Sequence, residues 1–138
     1  MLKQSGHQST LLTRSQSSYL NSATKIAARS VVRSRHGAVI VKGGSVIAVG
    51  LNSYTNDPHR FPVNNSGEQK IPHLDRGKQL SIHAELAAIR RVSPNRLKGA
   101  TIYIARVTRN GELRNSAPCA GCTKELLEAG IKKVIFTE

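Results

Sequence analysis

Residues 37–51, GAVIVKGGSVIAVGL, decide the fold of this chain. Two apolar runs lie on either side of the pair Gly43-Gly44. Paired glycines accept the positive φ angles of a tight turn between antiparallel strands. The stretch therefore predicts a β-hairpin with two buried strands, over Gly37–Lys42 and Ser45–Leu51.

Helices and further strands are predicted on both sides of this hairpin. Apolar residues recur at helical spacing over about Tyr19–Val32 and again over about Ser81–Val92. A β-branched, apolar run predicts a third strand over residues 101–107, Pro118 opens a third helix, and Lys132–Thr137 predicts a fourth strand. Because strands alternate with helices after the hairpin, the predicted fold class is α/β, a three-layer sandwich with a mixed central β-sheet flanked by helices.

Two segments lack a regular period. Residues 1–17 are rich in Ser, Gln and Thr, and they predict a flexible N-terminal tail before a single domain over residues 18–138. Residues 53–80 contain three prolines and mixed charge. A loop of this length in a compact domain is usually functional or partly disordered, so we interpret it as a wall or lid of the site that follows.

Composition limits the partners and the compartment. The chain of 138 residues has 21 Lys and Arg but only 8 Asp and Glu, a net charge of +13. This charge favours a phosphate-bearing partner, although a basic surface that only aids solubility is the alternative. No apolar run approaches the roughly 18 residues that span a bilayer, so we expect no membrane partner and no secretory signal peptide. Two closely spaced cysteines suggest a metal or redox site in a reducing, intracellular compartment such as the cytoplasm.

Two short segments carry the chemistry. His83-Ala84-Glu85 begins the second predicted helix, and Pro118-Cys119-Ala120-Gly121-Cys122 begins the third. The two cysteines are one helical turn apart, so both sulfurs can face one point. The positive end of a helix also favours the thiolate form that binds a metal. With a neutral nitrogen from His83, the pattern supplies three zinc ligands, and the pairing of the two segments is typical of zinc-dependent base deaminases.

Glu85 is expected to act beside the metal. A catalytic zinc site keeps its fourth position for water, whereas a structural site fills it with protein. On a helix, the side chains of His83 and Glu85 would diverge by about 200°, which argues against both binding one ion. A carboxyl group that is free of the metal can shuttle protons between the water and the substrate.

Other interpretations of the same residues stay open. The two cysteines could form a redox dithiol, or they could belong to a closed structural zinc site with His36, His59 or His73 as the fourth ligand. Glu85 could be an ordinary solvated helix residue. A non-catalytic zinc-containing nucleic-acid-binding module would keep the cysteines and the charge, but it would give Glu85 no task.

Over residues 19–137 the sequence resembles the cytidine and deoxycytidylate deaminase superfamily. The two motifs carry this resemblance together with Gly37–Val41 and Gly50-Leu51-Asn52. It implies the cytidine-deaminase fold and Zn²⁺ as cofactor. The residue roles that it implies are zinc ligation by His83, Cys119 and Cys122, proton transfer by Glu85, and substrate contacts from the Asn52 amide and from backbone groups of Ala84, Ser116 and Ala117.

The chain departs from the family pattern in two ways. It stops after the fourth predicted strand, where relatives commonly continue through another helix and strand, and this predicts a homo-oligomer in which a neighbour supplies what is missing. The segment 53–80 also lacks the additional Cys and His pattern with which some deoxycytidylate deaminases bind a second zinc.

The predicted function is hydrolytic deamination of cytosine to uracil in a CMP-type or dCMP-type nucleotide, with release of ammonia. Deamination of cytosine in single-stranded DNA or RNA is the close alternative, since the charge exceeds what a mononucleotide needs. A strand-binding groove would then be lined by the arginines at positions 33, 35, 60, 106, 109 and 114, with Tyr54, Phe61 and Tyr103 as candidate stacking surfaces.

Overall fold

The computed structural model describes residues 3–6, 12–54 and 81–138. These residues form eight strands and four helices. In chain order they are β1 (Lys3–Gly6), α1 (Arg14–Ala27), β2 (Arg35–Lys42), β3 (Ser45–Leu51), β4 (Ser53–Tyr54), β5 (Ser81–Ile82), α2 (Ala84–Ile89), α3 (Pro94–Leu97), β6 (Thr101–Val107), β7 (Leu113–Arg114), α4 (Ala120–Glu128) and β8 (Lys133–Phe136).

The central sheet is mixed, as predicted. Its strand order is β1-β8-β6-β2-β3, with the short β7 paired to β6. Strand β2 runs antiparallel to both β3 and β6, whereas β8 runs parallel to both β6 and β1. The predicted hairpin of β2 and β3 is confirmed, and its turn contains Gly43 and Gly44 with φ angles of 59° and 79°.

Alternating side chains of the central sheet pack into two hydrophobic cores, one on each face. Ala38 and Ile40 of β2 face the core that α2 and α4 cover, while Val39 and Val41 face the core that α1 covers. Strand β6 alternates in the same way, since successive strand residues point to opposite faces. The result is the predicted three-layer α/β sandwich, with α1 on one face and α2 and α4 on the other.

Two glycines let the helices approach the sheet closely. A Cβ atom at Gly50 would lie 2.5 Å from the carbonyl oxygen of Ala84 and 2.6 Å from the amide nitrogen of Ala88. A Cβ atom at Gly37 would collide in the same way with the backbone of α1. Helix α2 packs its alanines against Gly50 of β3, and the small size of these residues lets the helix lie directly on the strand.

The N-terminal segment differs from the tail predicted over residues 1–17. Helix α1 begins at Arg14, because Thr13 and Gln16 form a reciprocal capping box with hydrogen bonds of 2.9 and 3.1 Å. Apolar spacing could not reveal this polar first turn. Strand β1 pairs in parallel with the edge of β8. Its sequence, KQSG, contains no apolar residue, so no apolar alternation marks it as a strand.

The second and third helices begin later than predicted. Helix α2 starts at Ala84 rather than Ser81, because Ser81–Ile82 pairs antiparallel with Ser53–Tyr54. Helix α4 starts at Ala120, two residues after Pro118. Most of the predicted loop, residues 55–80, lies outside the described residues. Within the described part of the chain, no helix is long and apolar enough to cross a membrane.

Candidate metal centre and active site

His83 is the N-cap residue of α2 and not part of the helix. Its backbone is extended, with φ −70° and ψ 145°. The divergence of about 200° between His83 and Glu85 assumed that both residues are helical, and this premise was wrong because only Glu85 lies in the helix. The arrangement drawn from it agrees with the structure, since Glu85 is outside the ligand group and lines the same cavity as His83. The Glu85 side chain is buried, with 4% of its surface exposed.

Cys119 occupies the corresponding position at the start of α4. It is the N-cap residue, and its Sγ accepts a hydrogen bond of 3.4 Å from the backbone amide of Cys122. The helix N-terminus thus directs its backbone amides and positive partial charge at this sulfur. Cys122 lies within the first turn of α4 and is buried, whereas Cys119 is exposed. Helices α2 and α4 pack against each other. His83, at the N-cap of α2, therefore lies next to the sulfurs of both cysteines.

The three predicted ligands meet at one point. The Nδ1 atom of His83 lies 3.0 Å from Sγ of Cys122 and 3.8 Å from Sγ of Cys119, and all three atoms lie within 4.8 Å of one another. A tetrahedral zinc ion with ordinary bond lengths separates its nitrogen and sulfur ligands by about 3.6 Å. One nitrogen and two sulfurs at these distances therefore fit Zn²⁺.

A fourth protein ligand does not join this cluster within the described residues. His36, one of the alternative ligands, lies in the wall of the adjacent cavity instead. His59 and His73, the other two alternatives, lie outside the described residues. The described part of the chain thus presents the three-ligand pattern of a catalytic zinc site rather than the four-ligand pattern of a structural one.

The electrostatic field at the cluster favours a cation. Burial raises the pKa of the Cys122 thiol, and the neighbouring Glu85 and Cys119 raise it further. The negative charge that opposes ionisation of the Cys122 thiol also attracts a bound cation, which would stabilise the thiolate. Burial also lowers the pKa of His36, and this effect outweighs the carbonyl of Ser34 and the nearby Glu85. His36 is therefore neutral at pH 7 and contributes no competing charge.

A cavity of about 180 Å³ opens directly over the ligands. Its walls come from the segment before β2, from the end of β3, from α2 and from the segment before α4. Its lining residues are Val32, Ser34, His36, Asn52, His83, Glu85, Ser116, Ala117, Pro118 and Cys119. Six of the eight residues assigned to the site from sequence line this cavity, and the two that do not are Ala84 and Cys122.

Asn52 braces the wall of this cavity as well as lining it. Its Oδ1 accepts hydrogen bonds from the Ser30 hydroxyl at 2.7 Å and from the His36 amide at 2.9 Å. Its Nδ2 donates to the carbonyl oxygen of Ser34 at 2.6 Å. An amide nitrogen has two hydrogens, and the second has no acceptor among the described residues. Asn52 therefore fixes the segment before β2 and keeps one donor for a ligand.

The Ser116 side chain ties the segment before α4 to the end of the sheet. Its hydroxyl contacts the carbonyl oxygen of Ile104 and the hydroxyl of Thr137, each at 2.8 Å, and accepts from the Thr137 amide at 2.9 Å. The Ser116 amide donates to the Thr137 carbonyl at 2.8 Å. The Ala117 amide donates to Asn115 Oδ1 at 3.1 Å. Both amides are occupied, so the carbonyl groups of Ser116 and Ala117 are the backbone groups of these two residues that remain for a substrate.

Ala84 lies behind the cavity wall, between the lining residues His83 and Glu85. It is the first residue of α2, and the amides of a first helical turn have no acceptor within the helix. Sequence reasoning missed Val32, Ser34 and Pro118 as wall residues and gave His36 no place in the substrate cavity. Nothing local marks Val32, Ser34 or His36, because the pairing of β2 with β3 and β6 brings them there. Pro118, in contrast, directly precedes the ligand Cys119 in the quoted motif.

Comparisons with known proteins agree with this geometry. The family described as "cytidine and deoxycytidylate deaminase zinc-binding region" matches residues 13–138. Human deoxycytidylate deaminase is 31% identical over 110 residues, which cover 75% of this chain and 52% of that protein. The mouse deoxycytidylate deaminase matches to the same extent. This chain therefore spans about half the length of the curated relatives that it matches.

Solved structures show the same fold at lower identity. The dCMP deaminase of the cyanophage S-TIM5, solved in complex with dCMP and dUMP, superposes with a TM-score of 0.59 at 22% identity, covering 92% of this chain and 83% of that one. The RibD protein of Acinetobacter baumannii superposes with a TM-score of 0.53 at 22% identity, covering 89% of this chain and 28% of that one.

Proposed function

The chain belongs to the cytidine and deoxycytidylate deaminase family, and from this premise we propose that it converts cytosine to uracil in a CMP-type or dCMP-type nucleotide, with release of ammonia. One observation carries this proposal: the three-ligand cluster of His83, Cys119 and Cys122 lies beside the buried carboxyl group of Glu85 at one small cavity. A redox dithiol would leave the imidazole and this carboxyl group without a role.

The size of the cavity favours a single base as the reacting group. Pockets for drug-sized ligands start at about 300 Å³, whereas this cavity has about 180 Å³. It therefore admits one pyrimidine ring, and the sugar and phosphate of a nucleotide must lie outside it. Asn52 at the cavity wall offers its remaining amide hydrogen to the sugar or the base, as the family resemblance implies.

The chain's own residues then supply binding and proton transfer. His83, Cys119 and Cys122 would hold a zinc ion, and that ion would supply the Lewis acidity that makes a water molecule nucleophilic at neutral pH. Glu85 takes a proton from that water and delivers it to N3 of cytosine as the oxygen adds to C4. Glu85 then transfers the second proton of the water to the amino nitrogen. The C4–N4 bond breaks, ammonia leaves, and uracil remains.

The substitution Glu85→Gln tests this assignment. It removes the proton shuttle but keeps the shape of the side chain and all three metal ligands, so we expect zinc to stay bound while the deamination rate falls by about 10²–10⁴-fold. Zinc content is measured by mass spectrometry, and ammonia release is followed with cytosine, cytidine, CMP and dCMP. The matched control is Glu128→Gln, an exposed carboxyl group near the end of α4, which should keep the wild-type rate.

Two results would contradict the proposal. If zinc-loaded Glu85→Gln deaminates as fast as the wild type, then Glu85 is not the proton shuttle. If the zinc-loaded wild type releases no ammonia from any of these four compounds, then the proposed nucleotide substrate is wrong.

A further inference from the structure

A second cavity opens beside the first and is much larger. It has a volume of about 870 Å³ and is lined by two segments, residues 31–35 and residues 106–110. Val32 and Ser34 line both cavities, so the two lie side by side. We name the larger one the arginine cleft, because its wall contains the arginines at positions 33, 35, 106 and 109.

The described lining of the arginine cleft carries four positive side chains and no negative one. No carboxyl group is among its described lining residues. Four guanidinium groups around one cavity repel each other, and an anion between them relieves that repulsion. The planar guanidinium matches the oxygen geometry of phosphate with two parallel hydrogen bonds. Of the other two arginines considered from sequence, Arg114 pairs with Glu112 at 2.8 Å, and Arg60 lies outside the described residues.

Two of these arginines are anchored to the backbone while donors remain. Nη1 of Arg35 donates to the carbonyl oxygen of Ala28 at 3.3 Å, and Nη1 of Arg106 donates to that of Asn115 at 3.5 Å. The Nε of Arg35 is buried and has no hydrogen-bond partner in the described structure. A buried donor without an acceptor is costly, so the cleft favours a ligand that brings acceptor oxygens to Arg35.

The cleft is larger than one phosphate group requires. The phosphate of a mononucleotide occupies one or two arginines, whereas this cleft presents four and has almost five times the volume of the base cavity. Val31 lies in the cleft with 74% of its surface exposed and offers an apolar contact for a sugar or a base. The described lining contains no aromatic ring on which bases could stack. Phosphate contacts must therefore supply most of the affinity.

We infer that the arginine cleft binds the sugar-phosphate backbone of a single-stranded polynucleotide, with one cytosine of the strand in the smaller cavity. This inference rests on the proposed function and extends its substrate class from free nucleotides to cytosine within a strand. The strand must be single because a paired base cannot enter the cavity. The chemistry of the ligand, a flexible phosphodiester chain, is common to DNA and RNA.

Paired arginine substitutions test the inference by binding rather than by turnover. Fluorescence anisotropy measures the affinity of the zinc-loaded chain for a labelled single strand of about 15 nucleotides with one central cytosine. The test variant is R33Q/R109Q, which removes two exposed arginines of the cleft. The matched control is R91Q/R96Q, which removes two exposed arginines outside the cleft lining. Urea denaturation confirms that both variants fold like the wild type, and the DNA and RNA versions of the strand are compared in parallel.

We expect R33Q/R109Q to weaken strand binding by about tenfold or more, since each phosphate contact with a charged donor is strong. Between about 50 and 200 mM salt, the slope of log K against log salt should become shallower by about 1.4, because each phosphate contact on a single strand contributes about 0.7. R91Q/R96Q should bind within about twofold of the wild type. The DNA and RNA strands are then compared for their loss of affinity in R33Q/R109Q. The strand with the larger loss is the one that the cleft prefers.

Two outcomes would overturn the inference. Equal losses in both variants would show that general charge, not the cleft, holds the strand. A wild-type affinity for dCMP equal to that for the strand would make a single nucleotide the occupant. Ammonia release from dCMP by the wild type is measured separately, so a chain that deaminates dCMP but fails these binding tests refutes the cleft assignment alone. A chain that binds the strand through the cleft but releases no ammonia refutes the proposed function instead.

Discussion

The substitution Gly50→Ala should separate α2 from the sheet and thereby displace a metal ligand. The new Cβ atom would stand 2.5 Å from the carbonyl oxygen of Ala84, and ordinary contact begins at 3.4 Å. Because the obstructing atoms belong to the backbone of α2, no side-chain rotation relieves the collision. The helix must retreat by about 0.9 Å, and His83, which directly precedes it, moves with it.

A displacement of this size exceeds what zinc ligation tolerates. Metal-ligand distances in a functional site lie within about 0.2 Å of their ideal values, and Cys119 and Cys122 on α4 do not move with α2. We therefore expect zinc affinity to fall by at least tenfold, and we expect a loss of about 10²-fold in deamination from a shift near 1 Å. Overpacking should also reduce the free energy of unfolding by about 1–3 kcal/mol.

The control for this experiment is Gly37→Ala. Its Cβ atom collides with the backbone of α1 in the same manner, but α1 carries no metal ligand. Urea denaturation should show a similar loss of stability in both variants. Competition with a chromophoric chelator should show weakened zinc binding in Gly50→Ala alone. If Gly50→Ala binds zinc as tightly as the wild type, or if both variants lose zinc equally, then close packing at Gly50 does not set the ligand geometry.

Two further substitutions probe the polar contacts around the cavity. Asn52→Ala leaves the His36 amide without its acceptor and the Ser34 carbonyl oxygen without the Asn52 donor, while the Ser30 hydroxyl keeps the Asn52 backbone carbonyl oxygen. We expect urea denaturation to show a loss of about 1–3 kcal/mol in the free energy of unfolding; a loss below about 0.5 kcal/mol would mean that Asn52 does not brace the wall. Ser116 lines the cavity, and Ser116→Ala removes one of the two acceptors of the Thr137 amide together with the hydroxyl contacts to Ile104 and Thr137. KM for dCMP should therefore rise together with a similar loss of stability. Ser22→Ala, which removes a hydroxyl bonded only within α1, should change neither quantity, and equal effects of the two serine variants would contradict the role of Ser116.

Local sequence patterns predicted the elements but not their ends. The pair Gly43-Gly44 predicted the hairpin because its backbone angles are rare for other residues. The first helix was predicted five residues too late, since its first turn contains no apolar residue and depends on the capping box of Thr13 and Gln16. The strand β1 has the sequence KQSG, which lacks the apolar run by which the other strands were predicted.

The ligand set of the site was predictable, whereas its geometry was not. The spacing of His83, Cys119 and Cys122 identified three donors, and the structure brings those donors together. Glu85 lies beside the ligands and not among them, as expected, but the helical conformation assumed for His83 was wrong. His83 is an extended N-cap, and apolar periodicity does not distinguish an N-cap from the first helical residue. The hydrogen bonds of Asn52 join groups up to 22 residues apart, so they depend on tertiary structure that the sequence does not display.

The register of β2 explains why the arginine cleft adjoins the base cavity. Strand β2 is antiparallel to β3 and β6, so its first residues lie beside the last residues of both, with Gly37 opposite Leu51 and Arg35 opposite Val107. This end of the sheet therefore gathers the segment before β2, the segment after β6 and the residue after β3. A shift of β2 by one residue would turn its side chains to opposite faces, and the buried alternation of β2 prevents that shift. Core packing, not charge, thus holds the arginines beside the cavity, and for that reason their charges can be removed in the binding test without moving the walls that carry them.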